Sequence, residues 1–213
     1  MRFKKTIIGI ALLAVAGFVF AGVQSLESSG LEKLAAEKPP TVKDADKKEQ
    51  TAMGKDKKIL IAYFSHTRNT KAFAEGIQKE IGGDLFEIEP QDAYPQDHEA
   101  VVQQAKGEVN SGYTPKLKNK ALDISSYDVI FIGTPIWWYT VAPPVRTFLT
   151  EYDLSGKTII PFSTHKGSGL SGIDKTIKEL QPKAKVLEGF AIWDDRAKNM
   201  QPDIAKWLQR LTF

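Results

Sequence analysis

From residue 59 onward, hydrophobic positions fall into runs of two alternating periods, separated by polar breaks. Ile59-Leu60-Ile61-Ala62-Tyr63-Phe64 is a continuous apolar run of strand length, the pattern of a strand covered on both faces. The polar loop Ser65–Thr70 follows directly. Ala72, Phe73, Ile77 and Ile81 then recur at helical spacing until Gly82-Gly83 ends the helix. Leu85–Ile88 predicts a second strand, and the polar stretch from Pro90 to about Ser126 holds one helical segment near His98–Glu108. Val129–Gly133 is a third buried strand. Pro143-Pro144 opens a helix carrying Val145, Phe148 and Leu149, where proline suits the first turn. Thr158–Phe162 gives a fourth strand, Ile173–Leu180 a helix and Val186–Trp193 a fifth strand; a closing helix from about Pro202 carries Ile204, Trp207, Leu208 and Leu211. Five strands, each followed by a helix, predict an α/β fold: a three-layer, doubly wound, five-stranded parallel sheet with helices on both faces. Ligands of such sheets sit outside the carboxyl ends of the strands, so the loops there carry the functional information.

Residues 1–21 follow a different pattern: Arg2, Lys4 and Lys5 with no acid, then an uninterrupted apolar run from Ile7 to Ala21. These are the charged and apolar regions of an export signal. Small residues at Val19 and Ala21 allow cleavage after Ala21; left uncleaved, a stretch of about 18 residues serves as a short membrane anchor. Either way the cations stay on the cytoplasmic side and the remainder is exported, to the periplasm or the extracytoplasmic face of the membrane. Contact with the membrane is expected only through this segment, if it is retained. Residues 22–58 are rich in Lys, Glu, Asp, Ser and Ala, contain Pro39-Pro40 and have almost no large apolar residue after Leu34. They predict a flexible charged tether, in which Leu26–Ala36 has the spacing of a short amphipathic helix. The folded domain is therefore expected over residues 59–213.

The chain has 213 residues, 42% hydrophobic and 26% charged, with no cysteine. That length allows one sizeable core beyond the leader. The absence of cysteine excludes a disulfide scaffold, a thiolate metal or iron–sulfur site, a cysteine nucleophile and a lipid-modified N-terminal cysteine. Any redox chemistry must come from a cofactor. The formal net charge of +3 suggests an anionic partner until it is located. The leader holds 3 of the 29 basic residues and none of the 26 acidic ones, so the exported chain balances at 26 against 26. No nucleic-acid partner is expected, because the lysines of the tether interleave with acids and no aromatic side chain there can stack on bases.

Three loops lie at the predicted carboxyl edge. Ser65-His66-Thr67-Arg68-Asn69-Thr70 offers three hydroxyls and an amide ahead of a helix N-terminus, which suits either a phosphate or a capped helix with Ser65 or Thr67 as N-cap. Gly133-Thr134-Pro135-Ile136-Trp137-Trp138-Tyr139-Thr140 follows the third strand and places large flat side chains where a tricyclic ring would stack, one tryptophan being expected to pack on the core. Ser163-Thr164-His165-Lys166-Gly167-Ser168-Gly169 follows the fourth strand, and its glycines allow close approach of the backbone to a planar ligand.

The run Ile-Leu-Ile-Ala-Tyr-Phe-Ser-His-Thr-Arg-Asn-Thr resembles the phosphate loop of flavodoxins, a Thr/Ser-x-Thr-Gly-Asn-Thr pattern after the first strand. The resemblance covers about residues 58–213 and implies a strand order 2-1-3-4-5 with FMN as cofactor. It implies that Ser65, His66, Thr67, Arg68, Asn69 and Thr70 surround the phosphate, and that Thr134, Pro135, Ile136, Trp137 and Trp138 line the isoalloxazine. Thr164, His165, Lys166, Gly167, Ser168 and Gly169 would meet its pyrimidine end, and Tyr94, in a Tyr-Pro pair after the second strand, would cover the pocket or pin a turn. Two cations stand where the family has glycine: Arg68, which is strained if its φ is positive or else reaches the phosphate, and Lys166.

The expected function is electron transfer by an exported FMN-binding protein, with a redox partner protein or a small-molecule electron acceptor. Two other readings share the fold: an FMN-dependent NAD(P)H:quinone or nitro reductase, and a domain that has lost FMN. No G-x-G-x-x-G fingerprint for a nicotinamide cofactor is present. From Ile59 onward 18 basic residues face 19 acidic ones, so the reduced cofactor is expected at a less negative potential than in strongly acidic flavodoxins, with Lys166 or His165 near the ring. His66, His98 and His165 are too few and too dispersed along the sequence to predict a metal cluster. Asp194-Asp195, after the fifth strand at the ligand edge, reads as a solvated turn or a partner-docking feature. Ser163 and Ser168 lack the context of a nucleophile elbow.

Overall fold

A computed structural model describes residues 56–120, 123–196 and 199–213. The leader and nearly all of the tether lie outside the described residues. The elements are β1 (Ile59–Tyr63), α1 (Asn69–Ile81), β2 (Asp84–Glu87), α2 (His98–Ser111), β3 (Val129–Trp137), β4 (Thr140–Val141), α3 (Pro143–Glu151), β5 (Thr158–His165), α4 (Ile173–Leu180), β6 (Lys185–Val186), β7 (Phe190–Trp193) and α5 (Gln201–Leu208), with 3-10 turns at Ile124–Ser126 and Asp194–Arg196.

Successive residues of β1 point to opposite faces, and both faces are covered, which is why the run is continuously apolar. Leu60 and Ala62 join Ile130 and Ile132 beneath Val145, Phe148 and Leu149 of α3 and Ile173 and Ile177 of α4. Ile59 and Ile61 join Phe131, Ile160 and Phe162 beneath Phe73 and Ile77 of α1 and Ile204, Trp207 and Leu208 of α5. The strands pair in parallel in the order β2-β1-β3-β5, with β6 and β7 in succession along the far side of β5. This is the expected 2-1-3-4-5 order, with the fifth strand in two pieces. Pro161 explains the break. The Leu187 N–H donates to the Ile159 carbonyl, so Ile159 faces the edge strand; Pro161, two residues on, faces it too and has no N–H to give. Gly189 passes there, where a Cβ would lie 2.6 Å from the Pro161 carbonyl oxygen.

β3 and β5 both run past the predicted ends and carry their loops as extended backbone. β3 then doubles back into β4, with Trp137 opposite Thr140 and Ile136 opposite Val141. The two residues of the turn, Trp138 and Tyr139, have φ of 48° and 63°, the signs of a type I′ turn. Left-handed backbone costs an L-residue roughly 1–2 kcal/mol, so the turn is strained at both positions. The buried Thr134 hydroxyl accepts the Ala142 N–H at 2.9 Å and pins the base of the hairpin.

Candidate cofactor site

The loop after β1 enters α1 through Arg68, which has φ 71° and ψ −4°. Positive φ is therefore required there, and arginine bears a strain of roughly 1–2 kcal/mol that glycine would avoid. Its side chain turns away from the loop: Nη1 lies 3.8 Å from Glu87 Oε1. Lys71 Nζ reaches Glu87 Oε2 at 3.1 Å, and the Tyr63 hydroxyl donates to the same oxygen at 3.2 Å. Burial first, and then the Glu87 charge, push the Tyr63 phenol above its usual range. Neither predicted N-cap residue occupies that position, although Ser65 Oγ accepts the Lys71 N–H at 3.2 Å. The amides from His66 to Thr70 donate to no acceptor among the described residues. Consecutive free N–H groups at the positive end of a helix suit a phosphate dianion. Thr70 is buried, its Oγ1 2.8 Å from that of Thr164, so it ties the loop to β5 rather than facing a ligand.

Pro135, Ile136, Trp137 and Trp138 line a cleft of about 360 Å³, within the range of roughly 300–1,000 Å³ typical of small-molecule sites. Trp137 is the tryptophan that packs on the core. Its ring meets Tyr94 at 4.8 Å, Phe64 at 5.4 Å and His66 at 6.0 Å, all nearly edge-on. Tyr94 is buried beneath it and donates its hydroxyl to Glu108 at 2.6 Å, so it supports Trp137 and does not line the cleft. The Trp138 indole N–H donates to the Val102 carbonyl of α2 at 3.1 Å, with Lys106 Nζ 5.0 Å from its ring centre.

From β5, Thr164, His165 and Lys166 line the same cleft. His165 Nδ1 accepts the Gly167 N–H at 2.9 Å, so the neutral ring carries its proton on Nε2. Trp193 packs against the imidazole, with ring centres 5.2 Å apart. Burial lowers the His165 pKa, opposed by the Asp194 charge, and burial lowers that of His66 as well. Lys166 is exposed, and its Nζ lies 3.7 Å from Asp194 Oδ2, which also lines the cleft and is not merely a solvated turn. Gly167 has φ 122° and packs on Trp193. The Ser168 carbonyl accepts the Ser171 hydroxyl at 2.8 Å, and the Gly169 carbonyl that of Ser163 at 3.5 Å, so both residues shape the turn behind the cleft.

The remaining wall is α2, whose His98, Val101, Val102 and Ala105 face the cleft at i, i+3, i+4 and i+7. Sequence reasoning missed this face, although the spacing was legible. His66, His98 and His165, dispersed along the sequence, all line this one cleft. Among the described residues no group of three acidic or histidine side chains is placed to hold a metal ion. Of the residues expected at the ligand, His66, Thr67, Asn69, Pro135, Ile136, Trp137, Trp138, Thr164, His165 and Lys166 line the cleft. Ser65, Arg68, Thr70, Tyr94, Thr134, Gly167, Ser168 and Gly169 stand around it.

A row of free amides beside an apolar, aromatic slot with polar groups at its rim matches the two ends of a flavin mononucleotide. The fold and the site together define a flavodoxin-like flavoprotein. Residues 58–211 match the family model described as flavodoxin, and the chain belongs to the flavodoxin family. It is 33% identical to a protein of Bacteroides eggerthii described as a flavoprotein, over 70% of this chain and 99% of that one, with a TM-score of 0.60. A protein of Bacteroides uniformis with the same description is 28% identical over 72% and 99%, with a TM-score of 0.65. A Lactobacillus acidophilus flavoprotein, solved in complex with FMN, is 26% identical over 68% and 99%, with a TM-score of 0.58. No curated protein matches the chain.

Two outcomes follow from the strain and the burial at this site. Arg68→Gly relieves the left-handed strain at the expense of some unfolded-state entropy, and raises unfolding free energy by about 0.5–1 kcal/mol in denaturant titration; a loss of stability contradicts the assigned backbone. His66 and His165 have folded pKa values below the unfolded value of 6.5, so the unfolded state binds more protons near that pH. Their neutral forms support the fold fully above the unfolded pKa, and that support is lost as pH falls from there through the folded pKa. Stability is expected to be lower at about pH 5.5 than at about pH 7.5, with a smaller difference in His165→Gln; an unchanged difference in that variant contradicts the assignment.

Proposed function

We propose that the protein binds FMN in this cleft and transfers electrons outside the cytoplasm, delivering them to a redox partner protein or a small-molecule acceptor. The observation that carries the reading is the meeting of the amide row and the aromatic slot at one sheet edge. The free amides of His66–Thr70, with the side chains of Thr67 and Asn69, hold the phosphate. Pro135, Ile136 and Trp137 present an apolar wall to the ring, α2 excludes water from that side, and Trp138 anchors α2 to the hairpin. Thr164 and His165 offer polar atoms to the ring edge, with the His165 proton fixed on Nε2 by the Gly167 amide. Bound FMN supplies reversible electron transfer, and the chain sets its position and surroundings.

The FMN complex of the Lactobacillus acidophilus flavoprotein supports the cofactor. The turn of Arg68 toward Glu87 leaves the amide row open, which favours a flavin-binding domain over one that has lost FMN. The leader supports export, and the near-balance of charge in the folded domain supports the less negative potential.

Purified protein incubated with FMN and freed of excess should retain the visible bands of oxidised flavin at one cofactor per chain. It should be reduced by light with a sacrificial donor and should not turn over NADH; a colourless protein contradicts the cofactor assignment, and steady NADH oxidation contradicts the carrier. For location, residues 1–58 fused to alkaline phosphatase should give an active enzyme only where it has crossed the membrane, and an inactive fusion contradicts export.

A further inference from the structure

Glu87, the last residue of β2, gathers three donors at the carboxyl edge of the sheet. Lys71 Nζ lies 3.1 Å from its Oε2, the Tyr63 hydroxyl donates to the same oxygen at 3.2 Å, and Arg68 Nη1 stands 3.8 Å from Oε1. Between Ser65 and Ile77, Arg68 and Lys71 are the only arginine or lysine residues. The Arg68 amide belongs to the free row itself, and Lys71 follows the last member of that row, its own N–H on Ser65 Oγ. Both cations therefore spring from the phosphate loop, and both are held by one carboxylate. Glu87 lines a second cavity, of about 290 Å³, together with Ser65 and His66. His66 lines the cofactor cleft as well, so a single loop residue borders both spaces. Glu89, also on the second cavity, is paired with Lys118 at 3.7 Å, which leaves Glu87 as the carboxylate engaged with the loop. A phosphate monoester carries roughly two negative charges at neutral pH, against one on Glu87. The Arg68 side chain is 69% exposed and free to swing, and Lys71 carries its charge on a flexible stem. Such an ester on the amide row competes with Glu87 for both cations. Separating each cation from the carboxylate costs part of what its new bond contributes.

We propose that Glu87 sets how tightly the FMN phosphate is held, and how strongly the site prefers FMN to riboflavin, by withholding Arg68 and Lys71 from the anion. Binding of the phosphate then rests on the amide row until the two ion pairs are broken. The inference rests on the FMN reading above and adds to it the residue that controls affinity. Glu87 is a positioning residue: it acts through the two cations and not by contact with the cofactor. Tyr63 keeps it in place, since the phenol is held protonated by burial and by the Glu87 charge, and donates to the carboxylate from a buried strand.

The test compares FMN with riboflavin, which lacks the phosphate, by following flavin fluorescence as purified protein freed of flavin is titrated in. In Glu87→Gln, whose amide oxygen still accepts the Tyr63 hydroxyl, the FMN dissociation constant should fall about three- to thirtyfold at about 0.01 M salt. That is the range expected when two exposed ion pairs are released to the anion. At about 1 M salt, where the screening length drops from roughly 30 Å to about 3 Å, most of the gain should vanish. Riboflavin affinity should stay within about twofold, which also shows that the variant is folded. Adding Arg68→Gly and Lys71→Met to Glu87→Gln should remove most of the gain, which separates release of the cations from simple loss of a nearby negative charge. An FMN affinity that is unchanged or weaker in Glu87→Gln, equal tightening of FMN and riboflavin, or a gain that survives the loss of both cations overturns the proposal. A parent protein that binds neither flavin overturns the flavin reading itself, whereas uptake of FMN with no response at Glu87 overturns this inference alone.

Discussion

Gly133 stands between Tyr63 and Phe162 on one rung of the sheet, and the carboxyl edge depends on how closely those residues approach it. A Cβ on Gly133 would lie 2.2 Å from the Phe162 ring and 2.8 Å from Tyr63 Cβ. With only hydrogen at that point, β1, β3 and β5 keep their register under a close-packed ring. The chain then leaves β1 for the Ser65–Thr70 loop near the level at which β3 presents Pro135 to Trp138 and β5 presents Thr164 to Lys166. The buried Thr70–Thr164 hydroxyl pair joins the first and third loops across this edge. A site assembled from segments a hundred residues apart thus rests on one missing methyl group and one buried hydrogen bond.

Backbone strain is concentrated at the same edge. Of the non-glycine residues with positive φ, Arg68, Trp138 and Tyr139 border the cleft, and Ser171 lies just behind the third loop. The two cations that replace glycines of the family pattern are both drawn off by carboxylates, Arg68 by Glu87 and Lys166 by Asp194. Beside them in the cleft stand Thr164 and the His165 imidazole, the latter held in one tautomer by a backbone amide. At this edge charge is cancelled in pairs, with no net positive charge added.

The sheet order and most helices were legible because a buried parallel strand and an amphipathic helix each leave a periodic mark. The pattern predicts one fifth strand because Val186–Trp193 is apolar but for Glu188 and Gly189; its break is imposed by Pro161 on the neighbouring strand, which pattern within one segment does not reveal. The I′ hairpin left no mark at all, since Trp-Tyr is a poor choice for such a turn. For the site, loop composition placed the right segments at the right edge but not each side chain's direction. Arg68, Thr70, Tyr94 and Thr134 proved to be supports, turned toward Glu87, Thr164, Glu108 and Ala142. The helical face of α2 and the convergence of three histidines needed the tertiary fold, although the i, i+3, i+4, i+7 spacing from His98 to Ala105 was present in the sequence.

In the proposed complex, three separate loops and one helix face enclose a single flavin. Backbone amide chemical-shift mapping during titration of the protein with FMN tests it most directly. The largest shifts are expected together at His66–Thr70, Ile136–Trp138 and Thr164–Gly167, accompanied by the α2 residues from His98 to Ala105, all saturating at one equivalent of FMN. Shifts confined to one loop, or centred at the amino edge of the sheet around Lys58 and Asp128, would contradict it.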